Sequence, residues 1–215
     1  MRALGWLAAL GVAVGFAAAL GWAPREVTQG EVQRIMYVHV PAFLAAYAAF
    51  FVVLVASIVY LVGRGAGADR LAHAAAETGT LFLAINIATG SIWGKPTWGT
   101  WWTWDARITS VSIVFVMFVG YLLLRRAVDD PERGARYGAV LGIVAALNIP
   151  LVHFSVVWWR TLHQPPSLLR PGGSTAMPRV ILAVLLVNFA GFALTGAWFI
   201  AKRWRLLRAE AEALA

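Results

Sequence analysis

Six stretches of this chain are long and apolar enough to cross a lipid bilayer as helices, and they leave little sequence for anything else. Hydrophobic residues fill 60% of the 215 positions and charged residues 13%, whereas soluble domains carry roughly 25% charged residues. A spanning helix needs about 20 residues at ~1.5 Å of rise each. The stretches lie at about residues 3–23, 40–62, 74–93, 108–124, 137–158 and 180–200. The sequence therefore predicts an all-α fold, a single polytopic transmembrane helix bundle over residues 1–215.

The distribution of basic residues between the loops predicts the orientation of this bundle. With six spans, both termini lie on one side, and that side receives 11 of the 18 Lys and Arg residues. Cytoplasmic loops carry an excess of Lys and Arg, so we expect both termini in the cytoplasm of a bacterial inner membrane. The outward loops are then predicted at residues 24–37, at the tryptophan-rich segment before span four, and at residues 159–179.

The net charge of +8 and the absence of cysteine limit the possible functions. Most of the excess charge lies in short loops, where it orients the protein and meets anionic lipid, so no nucleic-acid partner is predicted. A chain without cysteine forms no disulfide and offers no thiol nucleophile. It also has no phosphate-binding loop, because Pro96 stands where that motif needs Ser or Thr. Whether the chain is an enzyme is left open, but it has no ATPase site of its own.

The segment from Trp93 to Asp105 reads WGKPTWGTWWTWD and holds five tryptophans. Indole combines a broad apolar face with one N–H donor, and it suits a place that is apolar on one side and wet on the other. The glycines and the proline make this segment poor material for an ordinary buried helix. We therefore predict an outward loop that forms either an aromatic belt at the membrane surface or a wall for a large flat ligand.

Two of the four histidines share the predicted outer face with these tryptophans. His39 lies in RIMYVHVPA, where the first outward loop enters span two, and His163 lies in VVWWRTLHQPP, just after span five. His153 lies near the same face one or two helical turns deeper, while His73 lies at the cytoplasmic end of span three, where solvation explains it. A single histidine at a membrane interface usually only places its polar ring nitrogens among the lipid headgroups. Two of them beside five indoles favour a ligand site.

Two neutral imidazoles on opposite sides of one centre can fill both axial positions of haem iron. Indole faces can cover the porphyrin, and arginine can pair with its propionates. Zinc is the alternative, but it usually takes three or four ligands in tight local spacing. Haem fits these residues better, although the residues alone leave both haem iron and zinc as candidates.

Three strings of this sequence together resemble the haem exporter protein C family (CcmC) of cytochrome c maturation. They are RIMYVHVPA, the tryptophan-rich block WGKPTWGTWWTWDARITS, which resembles the WWD signature of haem-handling membrane proteins, and NIPLVHFSVVWWRTLHQ. The resemblance extends from about residue 29 to residue 203. The combination is more specific than the WWD block alone, because larger haem lyases share that block.

The resemblance implies a haem (b-type, iron protoporphyrin IX) held at the outer membrane face. By motif context, His39 and His163 match the axial ligands. The implied haem platform consists of Trp98, Trp101, Trp102, Trp104 and Asp105. Arg107, Arg160 or Arg25 are expected to hold the propionates, and Asp105 is expected to orient Arg107 or an indole N–H.

The family also implies partners and a role. Such a protein presents haem to the periplasmic haem chaperone CcmE, in a complex with the ABC-type ATPase CcmA and the membrane subunit CcmB. Two other classes stay open: a haem lyase or electron-transfer cytochrome, and a structural or transport subunit whose tryptophans only anchor it. The visible spectrum of the purified protein discriminates between these classes.

Overall fold

The computed structural model describes residues 1–164 and 177–213, and within these ranges the chain is helical with no β-strand. A short 3-10 helix, Glu31–Ile35, precedes the second α-helix. The α-helices are α1 Arg2–Gly21, α2 Met36–Gly63, α3 Ala66–Trp98, α4 Ala106–Ala127, α5 Pro131–Leu147, α6 Ile149–Trp158 and α7 Arg179–Ala213. Six helical segments are long and apolar enough to cross a membrane, with α5 and α6 together forming one of them. The predicted all-α multi-pass fold is confirmed.

Successive helices run in alternate directions and give the bundle two distinct ends. The terminal end contains the start of α1, the end of α7 and the turns at residues 63–66 and 127–131. The tryptophan end contains the turns after α1, α3 and α6. The outward loop predicted at residues 159–179 belongs to this end, but most of it lies outside the described residues. The cytoplasmic location of the terminal end stays a prediction.

The first half of the tryptophan-rich segment is helical and only the second half is a loop, so the prediction of a loop from Trp93 onwards is wrong. Helix α3 continues to Trp98 and includes Pro96 in its last turn. A proline this close to a helix end removes a single backbone hydrogen bond, and the Thr97 hydroxyl donates to the Trp93 carbonyl at 2.8 Å in the same turn. Gly99 then ends the helix with a φ of +79°, a conformation that glycine adopts without strain.

The fifth membrane segment is two helices rather than the single predicted span. The break falls at Asn148, which separates α5 from α6. Pro150 follows it and has no N–H to donate to the preceding turn. The Asn148 N–H instead bonds the Ala145 carbonyl at 3.2 Å, and its side-chain amide donates to the Val144 carbonyl at 2.7 Å. These two bonds satisfy polar groups at the break between the two helices.

Helix α2 lies at the centre and packs most closely against α3. A Cβ atom added at Gly79 of α3 would lie 2.5 Å from Cε1 of Phe50, so only glycine fits beneath that ring. On its other side Phe50 stacks on Phe118 of α4, with ring centroids 3.7 Å apart. These contacts hold α2, α3 and α4 at fixed separations through the middle of the bundle.

Small residues bring α1 and α7 into backbone contact. A Cβ atom at Gly191 would lie 2.8 Å from the carbonyl carbon of Gly11, and one at Gly15 would lie 2.6 Å from Oδ1 of Asn188. The buried Asn188 side chain donates to the Gly15 carbonyl at 3.0 Å, which satisfies its amide between helices. This close packing is the role that the Gly-x-x-x-Gly spacing of α1 indicates.

Ion pairs tie the helices together at the terminal end. Arg125 of α4 makes a bidentate pair with Asp69 of α3, with both N–O distances at 2.8 Å. Glu77 pairs with Arg203 of α7 at 2.6 Å. His73 lies 3.3 Å from Glu77 and is largely buried, so the prediction that solvation accounts for it is wrong. Paired in this way, the charges can lie at the edge of a membrane.

Replacing Gly191 by Ala should destabilise the bundle, because the added methyl group has no room against the backbone of α1. We expect a loss of roughly 1–3 kcal/mol, seen as a lower midpoint of thermal unfolding in detergent. Gly120 of α4 is the matched control, since a Cβ atom there meets no atom within 4 Å. Equal unfolding midpoints for the two alanine variants would contradict the proposed contact between α1 and α7.

Candidate functional site

A cavity of about 820 Å³ opens at the tryptophan end of the bundle. Its wall comes from α2, the last turns of α3, the first turn of α4 and the segment after α6. Of the eight residues predicted for the site, six line the cavity: His39, Trp98, Trp101, Trp102, Arg107 and His163. The fold therefore brings together residues that lie far apart in the sequence.

His39 lies in the first turn of α2, at the entry to span two where the sequence predicts it. Its Nδ1 atom is 3.0 Å from the Asn86 carbonyl of α3, so Nδ1–H can donate there and leave Nε2 unprotonated, 3.2 Å from the side-chain nitrogen of Asn86. The Asn86 side chain donates in turn to the His39 carbonyl at 3.0 Å. A Cβ atom at Gly90 would lie 2.9 Å from the ring, so this glycine makes room for it. Trp93 meets the ring edge-on, with centroids 5.7 Å apart.

His163 approaches the cavity from the segment after α6. Its Nδ1 atom lies 3.0 Å from the Gln164 carbonyl. If Nδ1–H donates there, Nε2 is again the unprotonated nitrogen. Its ring centroid lies 6.0 Å from that of Trp98. Burial, with a contribution from the positive charge of Arg107, lowers the pKa of His163 below its usual range. The imidazole is therefore kept in the neutral form that coordinates metals.

Asp105 anchors the His163 segment to the start of α4. One carboxylate oxygen caps α4 by accepting the Ile108 N–H at 2.9 Å, and the other accepts the Leu162 N–H at 2.9 Å. Asp105 is not among the residues that line the cavity, and its carboxylate accepts from these two backbone N–H groups. It acts one residue away from His163, through the backbone.

Trp104 also lies outside the cavity wall, and 76% of its surface is exposed. Its ring meets Trp102 edge-on, with centroids 5.4 Å apart. Trp101 lines the cavity but is 56% exposed, so it lies at the rim. The platform expected from the sequence therefore divides into inner indoles, Trp98 and Trp102, and outer ones. This division depends on the turn from Gly99 to Asp105, which sequence reasoning does not predict.

Arg107 is the single member of the three expected propionate partners that lines the cavity. Its guanidinium donates to the Val152 carbonyl of α6 at 2.6 Å, and its central carbon lies 4.6 Å from the centroid of the Phe43 ring. Arg25 and Arg160 are exposed residues outside the cavity wall. The half-buried guanidinium of Arg107 has donors beyond the one used for Val152, so it can hold an anion inside the cavity.

Two polar atoms in the cavity lining are buried and have no hydrogen-bond partner: Nε1 of Trp102 and Oγ1 of Thr103. Buried polar groups are nearly always satisfied, so an unsatisfied donor in a cavity wall indicates that a ligand completes the bond. Together with Arg107 they form a cluster of donors suited to an anion. Sequence reasoning missed Thr103, as it missed Asn86 and Gly90, because none of them has a motif of its own.

The described residues contain no group of three or more His, Asp or Glu side chains able to hold a metal ion. The cavity thus offers two imidazoles and an anion-binding corner but no complete metal site. Together, fold and cavity define a multi-pass membrane protein with an aromatic, two-histidine ligand site at one end of its bundle.

The chain belongs to the Heme exporter protein C family (CcmC), whose model matches residues 1–214. The Heme exporter protein C of Bradyrhizobium diazoefficiens is 47% identical over 193 residues, which cover 88% of this chain and 73% of the relative. That of Escherichia coli strain K12 is 37% identical over 179 residues, covering 82% and 70%. A ccmC-like mitochondrial protein of cytochrome c biosynthesis from Marchantia polymorpha is 36% identical over 178 residues, covering 83% and 75%.

Replacing Asp105 by Ala should release the His163 segment from α4. Because the chain has no cysteine, spin labels at Ile113→Cys and Gln164→Cys, both exposed positions, report this movement. We expect a broader distance distribution between the two labels than in the protein with Asp105.

The matched control is Asp130→Ala, because Asp130 caps α5 through the N–H groups of Glu132 and Arg133 and makes no such link. Both variants should lose about 1 kcal/mol of capping energy. An unchanged distance distribution in the Asp105 variant would contradict the anchoring role.

Proposed function

We propose that this protein is a haem-handling membrane subunit of cytochrome c maturation that binds haem between His39 and His163 and presents it to an acceptor. The observation that carries the proposal is the pair of half-buried imidazoles lining one cavity, each with Nδ1 3.0 Å from a backbone carbonyl. Metal-bound histidines almost always use their second ring nitrogen in this way. The names of the relatives support the same ligand.

The donor set favours haem over a bare metal ion. Zinc sites need three or four protein ligands, and the described residues offer two. An iron porphyrin brings four equatorial nitrogens of its own and asks the protein for axial ligands only. The indoles of Trp98 and Trp102 and the Phe43 ring supply the apolar wall that a flat macrocycle needs.

Haem propionates fit the anion-binding corner. Arg107 supplies a half-buried positive charge, and Trp102 Nε1 and Thr103 Oγ1 supply donors without other partners. These groups lie on the α3–α4 side of the cavity, next to each other in sequence. We infer that this corner fixes the rotation of the macrocycle, while the two histidines fix its centre.

The two ligands differ in how firmly the protein holds them, and this suggests how haem leaves. His39 lies on a helix and is bonded to α3, whereas His163 lies on non-helical chain anchored through the Asp105–Leu162 bond. We infer that His163 is the ligand that dissociates during transfer. The exposed Trp101 and Trp104 at the rim offer an apolar surface to an acceptor.

The partners follow from the family. We propose that the acceptor is the periplasmic haem chaperone CcmE and that this protein works with the ATPase CcmA and the membrane subunit CcmB. The tryptophan end then faces the periplasm of the inner membrane, and both termini lie in the cytoplasm, as the loop charges predict.

Replacing either His39 or His163 by Ala should convert a low-spin, six-coordinate haem spectrum of the purified protein into a five-coordinate one, because a single axial ligand remains. Added imidazole should restore the low-spin bands by binding the iron in the space that the missing side chain leaves. His153→Ala is the control, since His153 lies at the same end but outside the cavity wall.

Unchanged spectra in both cavity variants, or a loss of the low-spin bands in His153→Ala, would refute the ligand assignment. A wild-type protein that binds no haem would instead support the structural or transport class. Haem that stays bound through reversible redox cycles, without passing to the acceptor, would support an electron-transfer cytochrome.

Replacing Trp102 by Phe should weaken haem binding about tenfold, because the ring is kept while the indole donor to the propionate is lost. Trp104→Phe is the control, since that indole lies outside the cavity. Affinity is measured by titration with haem and with its dimethyl ester, which has no carboxylate. The effect of Trp102→Phe should disappear with the ester, and an equal effect on both ligands would contradict the role of the indole donor.

A further inference from the structure

Two grooves flank α7 at the terminal end of the bundle, far from the cavity. The first, of about 1,010 Å³, lies between α1 and α7 and is lined by apolar side chains such as Trp6 and Trp198. The second, of about 1,470 Å³, lies between α2, α3 and α7. Its walls are mostly alanine and glycine, so they leave open space along the helices. Met1 and Arg205 line both grooves, which therefore meet at these two residues.

Three cations line the first groove, Arg2, Lys202 and Arg205, and Arg205 also lines the second. Among the described residues, none of them forms an ion pair within 4.0 Å. Lys202 instead lies over the Trp198 ring, with its ammonium 5.2 Å from the centroid. Clustered positive charges without counter-ions repel one another, so an external anion would stabilise this arrangement.

The neighbouring arginines on α7 show that acidic partners are used selectively. Arg203 pairs with Glu77 and Glu210, and Arg208 pairs with Glu212. The acidic side chains of this region thus pair with Arg203 and Arg208. Among the described residues, the cations that line the grooves have no acidic partner. An excess of basic residues at one membrane face orients a protein, but it does not by itself explain why these three converge on two apolar grooves.

We propose that this region binds a two-chain anionic phospholipid, with its headgroup phosphate on Arg2, Lys202 and Arg205 and one acyl chain in each groove. Basic pockets between transmembrane helices are known to bind lipid headgroups. The second groove extends along α7 from Phe189 to Arg205, which is about 24 Å at the rise of an α-helix. That length exceeds the ~15 Å of one leaflet's hydrocarbon, so an acyl chain fits within it.

A lipid fits these features better than a transmembrane helix of another protein. A single helix would fill one groove and leave the other empty, whereas the two grooves converge on one positive centre. A phosphate joined to two apolar chains has the same branched shape. The proposal is independent of the proposed haem function, because no residue of the cavity takes part in it.

Native mass spectrometry of the purified full chain tests the proposal. Phosphatidylglycerol is compared with phosphatidylcholine and with single-chain lysophosphatidylglycerol, all with the same acyl chain. We expect phosphatidylglycerol to bind most tightly. Replacing Arg2, Lys202 and Arg205 by Gln should weaken that binding by about fivefold for each cation removed, with little effect on phosphatidylcholine.

The matched control removes three other cations, Arg133, Arg136 and Arg208, each of which forms an ion pair on the exposed surface. It has the same net charge as the test variant and should keep the preference for phosphatidylglycerol. Ala197→Phe, at an exposed position in the second groove, should weaken the two-chain lipids but not the lysolipid. Leu186→Phe, exposed on α7 outside both grooves, should change nothing.

Equal binding of the three lipids, or equal loss in the test and control variants, would overturn the proposal. Ala197→Cys gives a further readout in native membranes, because it is the single cysteine of the chain and can carry a photoactivatable crosslinker. Adducts with lipid support the proposal. A crosslink to another polypeptide would show instead that a protein helix occupies the groove.

Discussion

The packing of α2 against α3 is the contact on which the other parts of this structure depend. It is closest where Gly79 lies beneath Phe50 in the middle of the bundle, and close again where Gly90 makes room for His39. In a bilayer, apolar surfaces gain little from meeting each other, so helices associate through tight packing and interhelical hydrogen bonds. The interface uses both, because Asn86 of α3 bonds the backbone of His39 while the glycines allow the approach. The same interface therefore stabilises the fold and holds one wall of the site.

The candidate site combines a rigid half and a tethered half. The rigid half consists of His39 and the indoles at the end of α3, all carried by helices. The tethered half is the segment bearing His163, which the carboxylate of Asp105 holds beside α4. A protein that must release its ligand gains from this asymmetry, because a single hydrogen-bonded segment can move without disturbing the helices. The Asp of the WWD block thus has a structural reason to follow the tryptophans closely.

The charges of the chain are arranged differently at the two ends. At the terminal end, ion pairs such as Asp69–Arg125 and Glu77–Arg203 link helices, and three unpaired cations face the grooves beside α7. At the tryptophan end, a half-buried arginine and two residues with unsatisfied donors line the cavity. Both unpaired sets suit anions that carry large apolar parts, which are the ligands most accessible to a protein surrounded by lipid.

The sequence by itself determined the membrane class of the chain and the number of its membrane segments, and it named histidine and tryptophan candidates for a site. Long apolar runs have one stable form in a bilayer, because helices satisfy their backbone hydrogen bonds internally, and the three family strings marked the site residues. Helix ends were less predictable: α3 extends to Trp98 and α5 breaks at Asn148, since tertiary contacts outweigh local signals there. Only the tertiary structure decided that Asp105 anchors the His163 segment, that Trp104 faces outward and that Thr103 and Asn86 belong to the site. These roles depend on which residues meet across helices, and spacing along a chain does not contain that information.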